Sequence, residues 1–141
     1  MKDELKIKMY SFTIDCVSPQ ELAKFYAALL EWNVVFSDED YAAVAAPDTK
    51  QGEYPGILFQ RNPEYLPPVW PEEAEKQQQM AHMDFIVNDL EKSVEHALHC
   101  GATVAKAQFS DHWRVMLDPA GHPFCLCQMK EIIESEHFAL R

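Results

Sequence analysis

Glycine is scarce in this chain. Four glycines in 141 residues leave no glycine-rich loop whose backbone N–H groups could cradle a phosphate. A GxSxG elbow and a CxxC pair are both missing, as is a sequence signature for a Cys/His nucleophile pair. Basic side chains are few as well. Twelve stand against 23 acidic ones, and the resulting net charge of -11 repels phosphate backbones and anionic membranes. Neither nucleic acid nor a membrane surface is an expected partner. No apolar run approaches the ~18 residues of a membrane span. The start MKDELKIKMYSF carries charge where a secretory signal carries apolar residues. The four cysteines, Cys16, Cys100, Cys125 and Cys127, are therefore expected to be reduced thiols of a cytoplasmic protein.

What is present is globular. Hydrophobic residues make up 48% and charged ones 25%, values that support a core and place the chain as one domain by length. A repeat is visible at a spacing of 70. In SFTIDCVSPQELAKFYAALLEW a strand runs into Ser18, Pro19 and Glu21. In AHMDFIVNDLEKSVEHALHCGA a strand runs into Asn88, Asp89 and Glu91. Ser18 and Asn88 read as N-caps, with an acidic residue at the third helical position of each. Each helix carries an apolar stripe, Leu22, Phe25, Tyr26 and Leu29 in one and Leu90, Val94, Ala97 and Leu98 in the other. Gly101 ends the second, and Glu31 stands at the matching place in the first.

Three β-prone runs follow each helix: 32–37, 41–46 and 56–61, then 103–107, 113–117 and 123–129. DEDY and DPAGHP are the turns between them. The expected class is α+β, built from two βαβββ modules at about 5–61 and 80–129. A proline-rich linker over 62–79 joins them, with a helical turn or two after Pro71, and a terminal helix covers 130–141.

The doubled unit, with GILFQRNPE closing the first half and DPAGHPFCLC the second, resembles the vicinal oxygen chelate superfamily of glyoxalases, bleomycin-resistance proteins and extradiol dioxygenases. It is closest to the glyoxalase-like branch. The resemblance implies strands curled into a mixed sheet around a central cavity, helices outside, and commonly a homodimer. It also implies, for metal-dependent members, one ligand from the first and one from the last strand of each module. His82 matches one such position. Phe12 at its counterpart cannot bind a metal, Cys125 stands where an acidic ligand is usual, and Gln60 is the remaining oxygen donor. The set is broken, so no metal is expected, although His82, Cys125 and Gln60 could in principle supply three zinc ligands.

Strand alternation sorts the faces. Met83, Phe85, Val87, Phe124 and Leu126 suit the helix side. His82, Asp84, Cys125 and Cys127 are left for the cavity, with Phe12, Ile14 and Cys16 forming an apolar wall opposite. Tyr54, Tyr65, Trp70 and Trp113 are candidates to close the mouth, with Arg114 as an anion contact and Asp84 as a cation contact. His96, His99 and His137 read as solvated, and His112 and His122 as turn residues. The sequence thus points to a metal-free protein binding a small amphipathic molecule, aromatic or cationic. One alternative is a lyase or isomerase with His82 as acid/base, with or without a divalent metal. Another is a regulatory module that senses a metabolite.

Overall fold

Ser18 and Asp89 start the two long helices. The computed structural model describes residues 4–50 and 56–134, and the chain divides into two compact units, Met1–Asn62 and Pro63–Arg141. The first contains β1 (Phe12–Cys16), α1 (Pro19–Leu30), β2 (Asn33–Ser37), β3 (Tyr41–Ala45) and β4 (Gly56–Arg61). The second contains β5 (Met83–Ile86), α2 (Leu90–Cys100), β6 (Thr103–Val104), β7 (Trp113–Leu117), β8 (Pro123–Cys127) and the short α3 (Lys130–Ile133). The sheets have matching strand orders, β1-β4-β3-β2 and β5-β8-β7-β6. In each the first strand runs parallel to the last and the other pairs are antiparallel. The expected α+β fold of two open βαβββ modules is what forms.

In the first unit the Ser18 hydroxyl accepts the Glu21 N–H at 3.3 Å, and Pro19 follows where its missing N–H has no intrahelical partner to lose. Leu22, Ala23, Phe25 and Tyr26 are buried, and the Tyr26 ring stacks on Phe59 of β4 with centroids 5.5 Å apart. α1 ends at Glu31, which takes the left-handed conformation at φ 55°. The DEDY turn is held by Asp38, whose carboxylate accepts the N–H of Asp40 and of Tyr41 at 2.8 and 2.9 Å.

The second unit departs from the expected register by one residue. Asp89, not Asn88, caps α2: its carboxylate accepts the Lys92 N–H at 3.1 Å, and its carbonyl accepts from Ser93. Leu90, the next residue, is the first of α2 and is buried. The repeat offset is therefore 71, and a one-residue slip moves every strand side chain to the other face. Residues paired across a ladder share a face. Ile14 pairs with Phe59, the ring that meets α1, and Phe12 pairs with Ile57. Phe12, Ile14 and Cys16 thus lie on the α1 side of their sheet, not on the helix-free side expected for them. The residue corresponding to His82 is Ser11, and the one corresponding to Asp84 is Thr13.

Three smaller differences follow from local chemistry. Leu98 is 45% exposed, because the buried stripe of α2 is centred on Leu90 and Ala97 and leaves Leu98 a further 100° round. No helix forms after Pro71; that stretch makes an irregular turn in which Lys76 donates to Glu73 and Val69 to Gln77. β6 stops after two residues because the Gln108 side chain takes over the ladder. Its amide donates to the carbonyls of Ala105 and Val115 and accepts the Val115 N–H, all within 2.9 Å. The expected terminal helix is seen at Lys130–Ile133; residues 135–141, with His137, and Tyr54 lie outside the described residues. Among the described residues no helix is long and apolar enough to cross a membrane.

Candidate ligand site

His82 just precedes β5 and Asp84 lies within it, two residues apart and so on one face. His82 Nε2 is 3.3 Å from an Asp84 carboxylate oxygen. Asp84 pairs with Cys125 across the β5–β8 ladder, which brings the thiol to the same carboxylate. One donor atom from each of the three lies within 4.8 Å of the other two. The convergence of His82, Asp84 and Cys125 expected from strand alternation is therefore present. The neighbouring positions sort as alternation demands: Phe85 turns its ring edge to Phe124, centroids 5.9 Å apart, on the buried face.

The Cys125 thiol is pushed up to about 12, first by burial and then by the Asp84 charge, with smaller contributions from Cys127 and from its hydrogen bond to Asp84. Cys127 is raised by burial and again by Asp84. Both thiols keep their protons at neutral pH. They act as small apolar surface with a weak S–H donor, and a thiolate nucleophile is not available.

These residues line a cavity of about 360 Å³ in the second unit. Val115 and Trp113 face it from β7, paired with Cys125 and Cys127 of β8. Trp70, Phe109, Gln79 and Pro123 complete the lining, and Trp70 meets Phe109 edge to face at 6.1 Å. Two polar atoms here are shielded from solvent without a hydrogen-bond partner, the Trp70 indole Nε1 and the Gln79 amide oxygen.

Of the aromatic candidates, Trp70 and Trp113 reach this cavity. Tyr65 does not line it; its hydroxyl donates to the Ala120 carbonyl at 2.6 Å and braces the β7–β8 turn. Arg114 is a correction. It pairs with Leu126 on the opposite face of the sheet, and its guanidinium donates to the carbonyls of Ser110 and Trp113 at 2.7 and 2.9 Å. It is spent on closing its own loop and offers no anion contact to the cavity. Gln60 is exposed on the helix-free side of the first sheet, level with Asp15 and Tyr41. His96 and His99 are exposed on α2 as expected, and His122 sits in the β7–β8 turn. Phe109 and Gln79 escaped the sequence reading, since both stand in irregular segments with no periodicity to give their faces.

A family model for the glyoxalase-like domain matches residues 11–127. The chain belongs to the glyoxalase-like domain family. Solved structures agree on the fold of this glyoxalase-like protein. Glyoxalase I of Leishmania major is 18% identical with a TM-score of 0.61, over 92% of this chain and 91% of that one. A glyoxalase/bleomycin resistance protein/dioxygenase family enzyme from Burkholderia phytofirmans is 15% identical with a TM-score of 0.59, over 84% and 96%. The bleomycin resistance determinant encoded on transposon Tn5 is 14% identical with a TM-score of 0.54, over 88% and 99%. At such identities the likeness is one of fold. No curated protein matches the glyoxalase-like chain in sequence.

Proposed function

We propose that this glyoxalase-like protein is a metal-free binder of a small amphipathic molecule, aromatic or cationic. One observation carries the reading: in a mostly apolar cavity the rings of Trp70, Phe109 and Trp113 line the same space as a single carboxylate, Asp84. Aromatic faces attract a desolvated cation by up to about 2 kcal/mol each, and a carboxylate adds its charge. The fold does not decide between binding and catalysis, since it serves both a glyoxalase I and a bleomycin resistance determinant. No feature of the site favours the lyase or isomerase reading.

The donor set fits a divalent ion poorly. The three donors that converge, His82, Asp84 and Cys125, all come from the second unit, whereas the metal-dependent pattern described above takes ligands from both modules. The repeat mate of His82 is Ser11, a weak ligand. Metal analysis of protein purified without chelator is expected to find far less than one ion per chain; one zinc, nickel or manganese per chain overturns this part.

The ligand reading is tested by thermal shift. Aromatic cations at about 100 times their Kd should stabilise the fold by about 2.7 kcal/mol, a few degrees in midpoint. Neutral analogues should do less, and Asp84→Asn should narrow the difference. Absence of any shift across cationic and neutral aromatics would sink the proposal. Large apolar side chains left exposed on the first unit, among them Ile7, Val35 and Phe36, support the further proposal of a homodimer.

A further inference from the structure

The outer face of α2 holds a second pair of metal-type donors. His96 and Cys100 stand one helical turn apart on the same side of α2, and His96 Nε2 lies 3.7 Å from the Cys100 Sγ. His96 is exposed and Cys100 partly so. As a hydrogen bond this contact is weak, and on an open helix face it contributes little to the fold. Its span suits another task. Zinc–sulfur and zinc–nitrogen bonds of about 2.3 and 2.0 Å at a tetrahedral angle set the two donor atoms about 3.5 Å apart. An ion can therefore seat against both with little movement of either side chain. Cys100 is also the last residue of α2, at the helix end where the macrodipole favours positive charge. The net charge of -11 raises the local concentration of cations further.

We infer that His96 and Cys100 form a reversible site for a borderline-soft divalent ion of the zinc type, clipped across the last turn of α2. The site is separate from the cavity and does not depend on the ligand reading. Imidazole and thiolate suit zinc and cobalt(II) and discriminate against magnesium and calcium, which take oxygen donors. Burial pushes the Cys100 thiol up, so its proton leaves as the metal–sulfur bond forms and passes to the buffer. Two protein ligands, with water in the remaining positions, give roughly half the binding free energy of a four-ligand zinc site, a Kd of about 10 µM. An ion held so loosely is lost during purification, so the low metal content expected above is unchanged.

Zinc titrated calorimetrically into reduced protein, stripped with chelator and desalted, tests the site. One ion per chain should bind with a Kd of about 10 µM. Magnesium and calcium should not compete, and cobalt(II) should give a sulfur-to-metal charge-transfer band. Cys100→Ser should abolish that band. Cys100→Ser and His96→Ala should each weaken zinc binding about tenfold or more, since losing even the outer partner of a ligand costs about 10- to 100-fold. Without metal both variants should unfold close to the midpoint of the unaltered protein, which separates a lost ligand from a lost fold. His99, on the adjoining strip of the same helix, is the control for binding by histidines alone, and His99→Ala should change the affinity less than either substitution. Absence of zinc binding by the unaltered protein, or affinity that survives both Cys100→Ser and His96→Ala, overturns this inference and leaves the ligand reading of the cavity intact. Affinity that survives Cys100→Ser but falls in His99→Ala also overturns it. Zinc binding that survives both α2 substitutions and is lost in Cys125→Ser lies in the cavity, and overturns this inference and the metal-free reading together.

Discussion

Cys125 shows how one side chain takes its chemistry from its neighbours. Facing Asp84 in a sheltered cavity, its thiol rises from the ordinary value of 9.0 to about 12. Folding therefore favours the protonated form. That contribution is fully present below about pH 9 and is lost as the pH climbs towards about 12, because the unfolded chain ionises first. Cys125→Ala should flatten the alkaline decline of stability over this window, read as urea midpoints at successive pH values. A curve as steep as that of the unaltered protein would show that burial and the Asp84 charge do not raise the Cys125 thiol. Asp118 is the other decisive single residue. It is 4% exposed, and its carboxylate accepts the N–H groups of Ala120 and His122, both at 2.9 Å. Asp118→Ala should lower stability by about 2 kcal/mol in chemical denaturation, since two sheltered donors lose a charged acceptor. Gly121 in the same turn has φ 89°, and a Cβ there would stand 2.9 Å from the Pro67 Cβ.

At the scale of the element, the helix ends set the registers. Asp89→Ala should destabilise by about 1 kcal/mol while Asn88→Ala changes stability little, because the Lys92 N–H is held by Asp89. The reverse order in a denaturant series would restore the offset of 70. Glu31 occupies a left-handed position that favours glycine and is exposed. Glu31→Gly should therefore raise stability by about 0.5 to 1 kcal/mol, with no contact of consequence lost. The choice of cap also sets the faces expected of β1. Pro19 is the first residue of α1 and marks Ser18 as its cap. Asn88 and Asp89 are both good caps, and propensity could not choose between them. Taking Asn88 as the cap shifts the repeat by one residue, which puts Phe12 and Ile14 on the helix-free side and makes Phe12, not Ser11, the mate of His82.

For the molecule as a whole, the repeated βαβββ order governs both units, and each sheet has an edge strand. β2 is exposed along all five residues and carries an irregularity between Val34 and Phe36, a common way of blunting an open edge. The proposed homodimer predicts light scattering at twice the 16.2 kDa chain mass. A single species of chain mass would contradict it. The net charge of -11 should make non-specific association weak, so a dimer that forms at low salt should persist at higher salt if apolar side chains hold it.

The amino-acid sequence by itself determined the α+β class, the duplicated element order, both helices to within about a residue, and most strands. Hydrophobic period, capping residues and turn residues act over neighbours along the chain, so they can be read without coordinates. It also put His82 and Asp84 on one face, because alternation within a strand is local; Cys125 reaches them through the β5–β8 ladder. Tertiary structure alone decided which cap wins, which face of β1 meets α1, and that Arg114 serves its own loop. It also brought Phe109 and Gln79 to the cavity from irregular segments. Those outcomes depend on burial and on partners distant in sequence, whose free energies no local pattern records.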